Sequence, residues 1–232
     1  MNRAMRAILL AAAMGGMSMN AFGFLGFGHS AGWREEVLLN DGRKIVVERH
    51  QTYGGYPTID SHERMLLDEE WTFQNPDTRQ TVTWRMNART PPEGERLMLM
   101  ILGFLKSTPY IATVPAGCVA YIHWGRPNPP YVLFKFDGKV WQRITLAEFP
   151  VEFKEANVVV GRPKPFNRSA VLEIKTILEE NRDLEPHLRV LSREPVKVPQ
   201  TVECPDLNSP RYTSPKAPLP MSPPSKVTDG DK

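Results

Sequence analysis

The chain has 232 residues, 41% of them hydrophobic, and a formal charge of +3, which suits one moderate hydrophobic core. Its Lys/Arg and Asp/Glu residues are interspersed, so no basic stripe marks a nucleic-acid surface. Arg3 and Arg6 fall in a segment read as removable, and subtracting them leaves +1 (3 − 2).

"MNRAMRAILLAAAMGGMSMNAFG" has the three parts of an export signal. Arg3 and Arg6 form a positive start, Ala7 to Met19 an apolar run, and Ala21 and Gly23 the small residues that signal peptidase accepts. The run is too short to span a bilayer as a helix. Cleavage is expected near Gly23, with an uncleaved anchor extended through "FGFLGFG" as the alternative. Residues 1–23 are thus read as a signal peptide and the remainder as periplasmic or secreted. In that setting the two cysteines, Cys118 and Cys204, are expected to form a disulfide. The bridge would be worth about 4–5 kcal/mol on chain-entropy grounds. A buried thiol at Cys118 with Cys204 left over is the competing reading.

From Trp33 the pattern is strands joined by turn signals, within one domain spanning about 33–193. In "WREEVLLNDGRKIVVER" a three-residue loop, Asn40-Asp41-Gly42, sets Arg34 opposite Glu48 and Val37 opposite Ile45. The stretch from His50 to Met65 is a turn-rich connection without periodicity. "EEWTFQNPDTRQTVTWRM" reads as a hairpin over Asn75-Pro76-Asp77-Thr78. It pairs Trp71 with Val82, puts Trp71, Phe73, Val82 and Trp84 on one face, and leaves the threonines on the other. "LMLMILGFL" from Leu97 fits a strand buried on both faces, and "YIATVP" and "CVAYIHW" read as two more strands. "YVLFKFDGKVWQRI" is a hairpin over Asp137-Gly138 with Phe134 facing Trp141. The prolines at 127, 129 and 130 lack the N–H a ladder needs, so they lead into that strand as a rigid crossing.

After the sheet, the period changes. Val171, Ile174, Ile177 and Leu178 share a helical face over about 169–182, with Asn167 or Ser169 as cap. "HLRVLS" would add a short edge strand. From Pro195 onward nine of 38 residues are proline, so 194–232 is expected to be a disordered tail. The fold class is mainly β: an antiparallel sandwich or open meander of about eight strands with one C-terminal amphipathic helix.

The chemistry-bearing residues form no familiar constellation. There is no H-E-x-x-H, G-x-S-x-G or S-x-x-K motif, and the glycine-rich "YGGY" lacks the strand-to-helix context of a phosphate loop. Glu69 and Glu70 are adjacent on a strand and so point to opposite faces. His50, Asp60, His62 and Glu63 match no metal cage, and no metal, cofactor or catalytic residue is assigned. Tyr53, Tyr56, His62, Trp124, Arg126 and Tyr131 are the candidate surface-binding residues, with core or rim packing as the competing reading for the aromatics.

The portion from Trp33 to about Gly161 resembles an uncharacterised family of exported proteobacterial proteins. "WREEVLLNDGRKIVVER" and "WGRPNPPYVLFKFDGKVWQRI" carry the resemblance. It implies export and a β-rich body, and brings no activity, cofactor or catalytic residue with it. The expectation is a non-enzymatic envelope protein that binds another protein or an envelope polymer. Its contacts would lie at sheet edges, the Tyr53–Arg64 connection or the tail, with no nucleic acid and no membrane contact beyond an uncleaved signal. The alternative is an exported hydrolase or carbohydrate-active protein whose site assembles only in three dimensions.

Overall fold

The computed structural model describes residues 29–54, 65–87, 96–164, 170–196 and Cys204. The expected signal segment, the caps Asn167 and Ser169, Tyr56, His62 and most of the proline-rich tail lie outside the described residues. The protein is mainly β: the described residues form nine strands in two sheets, consistent with a β-sandwich.

Strands β1 (His29–Leu38) and β2 (Lys44–Gly54) pair in the expected register, Arg34 opposite Glu48 and Val37 opposite Ile45. Gly42 sits at φ 84°, the left-handed region that a side chain disfavours. Strands β3 (Met65–Gln74) and β4 (Thr81–Asn87) form the second hairpin, but Trp71 faces Trp84 rather than Val82. The ladder runs on to Asn75, which exchanges hydrogen bonds with the chain at Arg79 and Gln80. Asn75 Oδ1 also accepts from the Asp77 and Thr78 amides, and Arg79 takes the left-handed position at φ 61°. The loop therefore lies one residue later than expected. Each strand's inward face survives because opposing positions shift by two, and the side-chain period is two. A two-residue strand, β9 (Val171–Leu172), pairs parallel to β1, and the order of this sheet is β4-β3-β2-β1-β9.

The second sheet has the order β5-β6-β7-β8, from β5 (Leu97–Leu105), β6 (Thr108–Pro115), β7 (Val132–Phe136) and β8 (Trp141–Ile144). Here too a hairpin slips by two: Phe136 faces Trp141, and Phe134 faces Arg143. The cause is Asp137, which closes the ladder to Val140 while its Oδ1 accepts from the Lys139 and Val140 amides. The loop becomes Gly138-Lys139, with Gly138 at φ 99°.

Three elements expected otherwise are helical or shorter. Cys118 to His123 is not a strand but helix α1 (Cys118–His123), which buries Ala120 and is followed by buried Trp124. That four-residue interval suits a helix as well as a strand. Helix α2 (Ile174–Asn181) begins later than expected, because Val171 and Leu172 are in β9. It buries Ile177 and Asn181, and leaves Leu178 58% exposed. "HLRVLS" contributes helix α3 (Pro186–Arg189) and a single bridge from Val190 to Glu155 in place of an edge strand.

The two sheets bury one aromatic core between them. Trp71 stacks on Trp84 at 4.0 Å, and Phe134 meets Trp84 and Trp124 edge-on. Such pairs add about 0.5–1.5 kcal/mol each beyond their burial. Trp141 Nε1 donates to Thr83 O at 2.9 Å, joining the β8 and β4 edges. On the other side Asn157 joins β1 to β5: its amide donates to Leu38 O and Leu102 O, and its carbonyl accepts from the Leu102 amide. A bulge at Met100 puts Met100 and Ile101 on the same face. That face is covered by Phe149, Phe153, Ala156 and Leu191, so β5, β6 and the start of β7 are buried on both sides, while β8 remains largely exposed.

Candidate functional site

Among the described residues, nothing covers the outer face of the five-stranded sheet in the same way. Its rows follow from the pairing: Arg34, Glu48, Thr72 and Thr83 lie side by side, and Gly32, His50, Glu70 and Arg85 form the next row. Two depressions run along this face. The larger, about 810 Å³, is lined by Arg34, Arg43, Lys44, Glu48, Thr72 and Arg79 among others. The smaller, about 410 Å³, lies over Gly32, His50 and Glu70. They share Arg34, Glu48 and Thr72 and so form one trough. Gly32 keeps the smaller part open, because a methyl there would stand 3.5 Å from His50 Nδ1.

The polar groups of the trough hold one another in place. Arg85 Nε donates to Glu70 Oε2 at 2.6 Å, and the Thr72 and Thr83 hydroxyls meet at 3.1 Å. Lys44 lies 3.5 Å from Glu36. At the rim, Arg43 bridges Asp41 and Asp77 from two different turns. Its hydrogen bonds hold both carboxyls below their ordinary range. These pairs are exposed, and each contributes little to stability. Their effect is to preset a polar surface of mixed sign, with hydroxyl, imidazole, carboxylate and guanidinium groups within one trough.

Directly beneath the smaller depression, on the inward face, lies a charge cluster. Arg49 is 2% exposed, Glu35 0% and Glu69 3%. Arg49 Nε and Nη2 donate to Glu69 Oε1 at 3.1 and 2.7 Å, and Nη1 donates to Glu35 Oε1 at 3.2 Å. Its remaining hydrogens go to Val159 O and Gly161 O, which satisfies the fork. Trp71 Nε1 also donates to Glu69 Oε1, and the Val159 amide donates to Glu35 Oε2 at 3.0 Å. The guanidinium carbon lies 4.6 Å from the Trp33 ring centre, a cation–π distance. Burial raises the Glu35 carboxyl above its usual value, against the opposing pull of Arg49. Burial also works against the Arg49 charge, but Glu69 and Glu35 more than reverse it.

Of the residues expected to bind at the surface, Tyr53, Trp124, Arg126 and Tyr131 are described, and none of them lines the trough. Trp124 and Tyr131 are buried, and withdraw from any platform. Tyr131 is a core tether: its hydroxyl accepts from the Ser192 amide and reaches His187 O at 3.0 Å. Tyr53 is half-buried, bonded to Gln51, with Arg162 over its ring at 5.3 Å. Arg126 is exposed, and donates to Cys204 O at 3.3 Å. Cys118 and Cys204 form the expected disulfide, closing a sequence separation of 86. His50 lies in β2, on the trough, while Asp60, His62 and Glu63 are outside the described residues.

Sequence reasoning placed Thr72 on the outward face and turned Glu69 and Glu70 to opposite sides, but passed over Gly32 and did not join Glu69 to Glu35 and Arg49. The alternation that places Trp33, Val37, Val47 and Trp71 inward also places Glu35, Arg49 and Glu69 inward. That was the available signal. Among the described residues no three His, Cys, Asp or Glu side chains are grouped to hold a metal ion, and no helix is long and apolar enough to cross a membrane. No family model, curated protein or solved structure matches this chain.

Proposed function

We propose that the protein is an exported, non-enzymatic binding module that seats a protein or polymer of the cell envelope on the outer face of its five-stranded sheet. The observation that carries this reading is the continuous trough over Gly32, Arg34, Glu48, His50 and Thr72, on a face that no described residue covers. Concave polar surfaces on a rigid scaffold are where ligands settle. The Cys118–Cys204 disulfide supports an oxidising compartment, in keeping with the export signal read at residues 1–23. The Tyr53–Arg64 connection and the proline-rich tail would supply further contacts.

A photo-crosslinking residue at Thr72, compared with one at exposed Val140 on the β7–β8 turn, tests this in cells. The same neighbour should be captured reproducibly from Thr72 and not from Val140. Equal capture from both positions, or none from Thr72, contradicts the reading.

The hydrolase alternative has its own observation: His50 and Glu70 are cross-strand partners, with Glu48 beside them in the smaller depression. A histidine–acid pair in a concavity is the minimum for acid–base work. Hydrolysis of envelope polymers by the purified protein, abolished by His50→Ala and by Glu70→Gln, would favour the enzyme. Equal rates in all three proteins would remove it.

A further inference from the structure

The Glu35–Arg49–Glu69 cluster ties the paired strands β1, β2 and β3 to the segment Val158–Gly161, which itself contributes to no strand. Three strands contribute one charged group each, and the segment Val158–Gly161 closes over them. Behind that segment stands α2. Its Asn181 accepts from the Val160 amide and donates to Val158 O, while Ile177 packs with Trp33, Val159 and Leu172. The segment and helix thus sit on the inward face of the five-stranded sheet where the four-stranded sheet does not reach.

The charge count of this site does not close. Two carboxylates and one guanidinium leave one net negative charge (2 − 1), and all three groups are buried. Among the described residues, the elements packed around them bring no second buried cation: β9 presents Leu172, α2 presents Ile177 and Asn181, and the covering segment presents Val159 and the backbone of Gly161. Arg162, next along the covering segment, lies over the Tyr53 ring. An uncompensated buried charge is costly, and the usual relief is to take up a proton.

We infer that this cluster is a proton-operated latch: it holds Val158–Gly161 and α2 against the five-stranded sheet while one proton is bound, and releases them when that proton leaves for solvent. Glu35 is the carrier. Its donors are spread over two oxygens, Arg49 Nη1 on Oε1 and the Val159 amide on Oε2 with the buried Trp33 indole beside them, whereas Glu69 gathers three donors on Oε1 alone. In the opened segment Glu35 meets water and titrates near 4.5, while burial raises its value in the closed protein. The closed state therefore binds the proton more tightly. Latch stability is full at and below the ordinary carboxyl value and declines as pH rises through the raised one. One proton makes the opening equilibrium grow at most about tenfold per pH unit.

Hydrogen exchange on the full chain between pH 5 and 9, corrected for intrinsic exchange, reads this directly. Opening at the Val159 and Val160 amides should increase toward the tenfold limit, while Ile111 and Ala112 in β6 stay unchanged. Glu69→Gln restores charge balance without touching Glu35, and should flatten the pH response. The carboxyl carbon resonance of Glu35 in the unaltered protein should titrate above the ordinary glutamate range. Three results overturn the latch: Glu35 titrating within the ordinary range, a pH response shared equally by β6, or one that persists in Glu69→Gln.

Discussion

The two sheets use alternation differently. In β5 every residue from Leu99 to Phe104 is buried, because one face meets the other sheet and the opposite face meets Phe149, Phe153 and Leu191. In β1 and β2 every second residue is buried and its neighbours are polar or exposed. A nearly continuous apolar strand marks a middle layer, and an alternating one marks a wall with a free side. The contrast teaches where this molecule can afford variation. Substitution in the four-stranded sheet disturbs packing on one side or the other. The outer face of the five-stranded sheet, uncovered among the described residues, is where the proposed binding would fall.

The contrast can be broken at several strengths. Arg49→Ala, at the inward face of the wall, should cost most. It leaves two buried carboxylates without their cation, and urea unfolding should report a loss of about 3–5 kcal/mol. Reducing the Cys118–Cys204 bridge removes a constraint beside the middle layer, and should cost about 2–4 kcal/mol on the same assay. Gly103→Ala tests the covered face: its new Cβ would stand 2.6 Å from the Phe153 ring. A loss of about 1–3 kcal/mol is expected, and Phe153→Leu in the same chain should recover part of it. Thr83→Val on the outer face loses only an exposed hydroxyl contact to Thr72, and its unfolding midpoint should move by less than about 0.5 kcal/mol.

Much of this division was legible in the sequence, and the misses have physical causes. Alternation assigned Trp71, Phe73, Val82 and Trp84 to one inward face, and all four are buried there. The β1–β2 register followed from Gly42. The other two hairpins slipped because Asn75 and Asp137 extend their ladders through side-chain hydrogen bonds, a local competition that turn-residue counting does not capture. Cys118–His123 defeated the reading because a short segment burying positions four apart satisfies either period. The candidate surface aromatics failed for a different reason. Trp124 and Tyr131 look like recognition residues in isolation, and only the packing of Phe134 and Ser192 against them shows that they are structural. The trough was hidden because it depends on β1, β2 and β3 lying side by side, which no single stretch displays.

Gly32→Val tests the central claim most directly, because valine suits a strand and fills the smaller depression from inside it. Unfolding and Thr72 crosslinking would be measured on the same protein. The account predicts an unfolding midpoint close to that of the unaltered chain and loss of the captured neighbour. Capture that persists with the depression filled would contradict it.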